Sequence, residues 1–100
     1  MKTGMIGKFV IVRCHDAGVH AGVLLAHEGR ECLLKDSRRL WYWKVAGKRP
    51  FLSGVALDGL SSESRVGCTL PLLHLTETSE IILCSAVAER SIREAADHEC

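Results

Sequence analysis

Nowhere in this sequence does an apolar run reach the length of a membrane span. The N-terminal run, Phe9-Val10-Ile11-Val12, has four residues. A secretory core needs about 7–15 and a spanning helix about 18 or more. No membrane association and no export signal are expected, so the chain should stay in the compartment where it is made. Net charge is nearly absent too: 13 Lys+Arg stand against 12 Asp+Glu, for +1. That excludes a diffusely basic nucleic-acid coat, though not a local basic patch. The cysteines are odd in number (Cys14, Cys32, Cys68, Cys84, Cys100) and none forms a C-x-x-C pair. They read as reduced, mostly buried small hydrophobes rather than a disulfide framework. Cys100 is the exception, a terminal thiol expected to be exposed. No Walker A, nucleophile-elbow or dinucleotide fingerprint occurs, and no cofactor is implied.

What is present is a core. Hydrophobic residues make up 47% of 100 positions and charged residues 25%, too apolar for a disordered chain. One domain, residues 1–100, is expected, burying roughly 60–70% of its unfolded surface. Lys8 to His15 reads as a strand buried on both faces. Gly18 supplies a turn, and Val19 to His27 alternates as a second strand, with Gly22 marking a bulge or close approach. Glu31 to Lys35 and Leu40 to Lys44 read as two further strands, separated by polar Asp36 to Arg39. Phe51 to Leu60 is ambiguous: a short helix near 52–59 fits its apolar spacing, with Ser53 as a cap, but Gly54 and Gly59 oppose a long one. Leu60 to Gly67 reads as an exposed loop. Cys68 to Leu73 is extended at an edge, because Pro71 cannot donate to a ladder. Thr76 to Cys84 is a strand, and Ser85 caps a helix over Ala86 to Asp97. The fold class expected is mainly β (α+β), a small strongly bent sheet or partly closed barrel with a C-terminal helix.

The unusual segment is Lys35 to Arg49. It carries six basic residues and one acidic, a local +5, against −4 for the rest of the chain. It also holds three of the five aromatics, consecutively, as Trp41-Tyr42-Trp43. In a regular strand Trp41 and Trp43 share one face, and Leu40, Tyr42 and Lys44 the other. One reading has the tryptophans in the core and Tyr42 in water. The other makes the aromatics a stacking platform flanked by phosphate-clamping guanidiniums. A second cluster, Arg13-Cys14-His15-Asp16 with His20, has no zinc spacing, so no metal is expected. Cys14 and His15 are strand neighbours on opposite faces and cannot act as a nucleophile pair.

Three stretches carry a family resemblance: A-G-V-H-A-G (17–22), L-K-D-S-R-R-L-W-Y-W-K (34–44), and L-T-E-T-S-E-I-I-L-C (75–84) followed by A-E-R-S-I (88–92). The chain thereby resembles a family of small phage and prophage proteins of unknown function, over about residues 7–92. Ser37 stands where the family pattern has alanine, and Lys48-Arg49-Pro50 departs from it. The resemblance implies a phage-encoded accessory protein, in the cytoplasm of a bacterial host, and favours a host- or defence-directed binding role.

The lead expectation is a non-enzymatic binding module for an anionic partner: a nucleotide-like small molecule, nucleic acid or an acidic host protein surface. Arg38, Arg39 and Lys44 supply charge, and Trp41, Tyr42 or Trp43 stacks. Arg13 and His20 rank second. The first alternative is a virion-associated or homo-oligomeric protein with Trp41 and Trp43 as interface anchors. The second is a small enzyme using His15, Asp16 or His20 as acid–base groups.

Overall fold

Strands form where β-branched and aromatic residues are densest. The computed structural model describes residues 3–99, so the exposure expected of Cys100 lies outside the described residues. In chain order the elements are β1 (Phe9–Cys14), β2 (Val19–Glu28), β3 (Glu31–Tyr42), α1 (Leu52–Asp58), β4 (Arg65–Gly67), β5 (Leu70–Leu75), β6 (Thr78–Leu83), α2 (Ala86–Glu94) and β7 (Asp97–Glu99). The strand order is β6-β1-β2-β3-β4-β7, and β5 also pairs with β3. All pairings are antiparallel except β4 with β7.

Connectivity forces the sheet to curl. β5 and β6 follow one another with only Thr76 and Glu77 between them, yet β5 lies on β3 and β6 on β1. A flat sheet would hold them about 19 Å apart. The linking chain reaches about 11 Å at most. The strands therefore bend round until Thr78 N–H donates to the Arg30 carbonyl at 2.8 Å. The sheet stays open, so of the two mainly β forms expected from the sequence it is the strongly bent sheet, with a C-terminal helix, that is found.

Curling gives the sheet two apolar faces. On one, Phe9, Ile11, Ala21, Leu40 and Val66 pack with α1 and with Ile92 of α2. On the other, inside the curl, Val10, Val12, Leu24, Cys32, Leu34 and Leu75 pack together. β1 feeds both, which explains its unbroken apolar run.

Several boundaries differ from the sequence expectation. The two strands expected at 31–35 and 40–44 are one continuous β3, and Trp43 and Lys44 lie beyond its end. Asp36 is accommodated inside it at φ 52°, beside a register shift opposite Gly22. A Cβ on Gly22 would meet the Lys35 carbonyl and Ser37 Cα at 3.0 Å, so glycine is what lets the strands approach there. The 60–67 stretch contains β4 rather than being all loop. α2 stops at Glu94, and Asp97 belongs to β7. Ser85 does cap α2, accepting from Ala88 N–H at 3.0 Å. At α1, Phe51 occupies the capping position in place of Ser53, and Gly59 at φ 91° ends the helix.

Ser37 is fully buried, and among the described residues its hydroxyl has no hydrogen-bond partner. Such a group carries a desolvation penalty without return. Ser37→Ala is expected to raise stability by about 1 kcal/mol, read as a higher urea midpoint at unchanged m. A lower midpoint would contradict the orphaned hydroxyl.

Candidate functional site

The Lys35–Arg49 segment is split by the alternation of β3. Arg38 and Leu40 point to the helix-covered face, and Arg39 and Trp41 to the other. This decides which cations are available.

Arg38 is buried, with 3% of its side chain exposed. Its Nε–H donates to the Gly67 carbonyl at 2.8 Å. Nη1 donates to the carbonyls of Ile92 at 2.7 Å and Ala95 at 2.6 Å. Nη2 meets Asp97 Oδ1 at 2.7 Å. The guanidinium thus ties the C-terminal end of α2 to β4 and β7. Its position satisfies carbonyls that a helix end leaves orphaned, and the helix dipole favours it. The binding role expected of Arg38 gives way to a structural one, because its donors are turned inward.

On the opposite face a bulge sets the geometry. Leu40 pairs with Val66 and Tyr42 with Arg65, with a register shift between them. The extra residue breaks strict alternation. Trp41 and Tyr42 both reach solvent, 45% and 49% exposed, while Trp43 turns back and packs against the core. The shared face expected for Trp41 and Trp43 does not form, so the pair cannot anchor one interface together.

Arg65 lies across both exposed rings. Its guanidinium carbon is 5.3 Å from the Trp41 ring centre and 5.8 Å from that of Tyr42. His98, carried by β7, packs on Trp41 with ring centres 5.0 Å apart and planes at 53°. Among the described side chains, neither Arg39 nor Arg65 has an ion-pair partner. Arg65 and His98 were missed in sequence. Arg65 lies in a stretch whose sequence reads as loop, and His98 meets Trp41 only through a parallel strand pairing with no sequence signal.

Of the remaining expected residues, Arg13 and His20 are not part of this face, and Lys44, close to Tyr42, is taken up by an ion pair. Lys44 bonds Glu63 at 2.6 Å, which pushes its ammonium pKa up. Arg13 pairs with Glu80 at 3.0 Å and, with Trp43, Phe51 and Ile82, lines a separate recess of about 320 Å³. His20 is buried, its Nε2 2.8 Å from the Ala17 carbonyl. Burial pushes its pKa down, with the Arg39 charge adding to the effect and the Ala17 bond opposing it. His15 and Asp16 are solvent-exposed, and the structure does not place them with buried His20. Burial also raises the thiol pKa of Cys14 and Cys32, and pushes Cys84 up to about 12. These are poor nucleophiles. Among the described residues no group of three or more His, Cys, Asp or Glu is placed to hold a metal ion. No helix among them is long and apolar enough to cross a membrane.

A family model described as a domain of unknown function, DUF6948, matches residues 7–92. No curated protein and no solved structure matches the chain.

Proposed function

The chain belongs to the DUF6948 family, and we propose that it is a non-enzymatic binding protein that captures an anionic partner on the face formed by Arg39, Trp41, Tyr42, Arg65 and His98. The carrying observation is the Arg65 guanidinium lying against two half-exposed aromatic rings. The cation–π contact holds the guanidinium over the rings while its N–H groups stay available for an anion. Large rings are costly to leave in water without a partner, and Trp, Tyr and Arg dominate binding hot spots. The chemistry suits a nucleotide-like molecule, a nucleic acid or an acidic protein surface. The sequence resemblance supplies the context: a phage or prophage accessory protein acting in the bacterial cytoplasm, directed at a host or defence component.

Trp41 reports on this face directly. A Trp43→Phe variant leaves it as the sole tryptophan. Its fluorescence is expected to respond saturably to an anionic probe (ATP, oligo-dT or polyglutamate) at low salt, about 50 mM. Arg65→Ala should weaken that binding about tenfold or more. An unresponsive Trp41, or an Arg65→Ala variant that binds equally well, would sink the proposal. Concentration-dependent quenching of Trp41 without any probe would favour self-association instead.

A further inference from the structure

We infer that the partner of this face is single-stranded nucleic acid, a deepening that rests on the anion-binding reading above. Each class of anion would use this face differently. The carboxylates of an acidic protein surface pair with cations and gain nothing from the electron-rich faces of two adjacent aromatic rings. A mononucleotide site encloses its ligand, typically covering about 70–90% of its surface. Trp41 and Tyr42 instead stand half in solvent. Arg65 already covers part of both rings, so a base stacks on what they leave open or on the guanidinium itself, and affinity has to accumulate over several units of a chain. Stacking platforms with flanking cations work in that way and tolerate any base, because every base has a π-face. A duplex keeps its bases closed in their own stack and cannot use the rings.

The cations are placed to follow a backbone past the rings. Arg39 is two residues from Trp41 on the same face of β3, about 7 Å along the strand. Arg65 spans Trp41 and Tyr42 from the neighbouring strand. Its guanidinium plane is itself a surface on which a base can stack. His98 adds a third ring beside Trp41. Two cations and three rings make a platform that relies on stacking more than on charge. The salt dependence should therefore be shallow. Two neutralised phosphates on a single strand correspond to a log–log slope of about −1.4.

The test compares anionic probes in fluorescence anisotropy. Oligo-dT of about ten residues is set against an abasic phosphodiester oligomer of equal length, the matching duplex, polyglutamate and a mononucleotide. Oligo-dT is expected to bind best. The abasic oligomer, and oligo-dT with Trp41→Ala or Tyr42→Ala, should each be weaker by about 5- to 150-fold. Thermal melts of both variants should match the parent, since both rings are on the surface. Equal binding of the abasic oligomer, or tighter binding of the duplex, the mononucleotide or polyglutamate, overturns the single-strand assignment and leaves the anion-binding face standing. Failure of every probe overturns the anion-binding face as well.

Discussion

Arg38→Leu is expected to destabilise the protein by about 3–5 kcal/mol, the range for losing one partner of a buried charged network. The substitution strips the buried carbonyls of Gly67 and Ile92, and the half-buried carbonyl of Ala95, of their donor. Each unpaired buried carbonyl costs about 1–3 kcal/mol. Asp97 contributes less to the loss, because its side chain is 62% exposed and can return to water. Some of the loss is offset, since a buried guanidinium no longer has to be desolvated. For a domain of this size, 1 kcal/mol moves the Tm by about 4–8 °C. A fall of about 12 °C or more is therefore anticipated in a thermal melt. Arg38→Lys should restore little, since one ammonium cannot reproduce a planar fork reaching three directions. A change in stability within about 1 kcal/mol would mean that the guanidinium is not the tie it looks to be.

Ile92→Ala should cost about 2–5 kcal/mol. α2 has nine residues and only Ala88 and Ile92 are buried. A helix this short has no stability of its own in water, so one side chain carries most of its docking. Ile92 also presents the carbonyl that Arg38 grips. The two substitutions act on one joint, and together they should cost less than their separate losses added. Additive losses by urea denaturation would show that α2 is held by something else.

These two residues show where sequence reading succeeds and where it stops. Ile92 was legible, since its spacing from Ala88 marks a helical stripe and Ser85 marks the start. β1 was legible for a similar reason: four consecutive apolar residues require burial on both faces. Gly22 announced its close approach because a strand has little other use for glycine. Arg38 was misread because two adjacent arginines look alike in charge. Alternation carried the answer, since Arg38 shares a face with apolar Leu40 and Arg39 with Trp41. The continuity of β3 through Asp36 was not legible, because a polar residue at positive φ reads as a turn. Trp41 and Trp43 were assigned one face because a bulge leaves no mark in periodicity. Arg65 and His98 reach the aromatic face through pairings of three-residue strands, too short to carry a pattern.

The central claim, that the Arg39–Trp41–Tyr42–Arg65–His98 face is where this protein binds, is tested most directly by mapping amide chemical shifts during titration with oligo-dT at low salt. The account predicts perturbations concentrated at residues 39–42, at Arg65 and at His98. Shifts centred on the recess of Arg13, Trp43 and Phe51, with residues 39–42 and 65 unmoved, would contradict it.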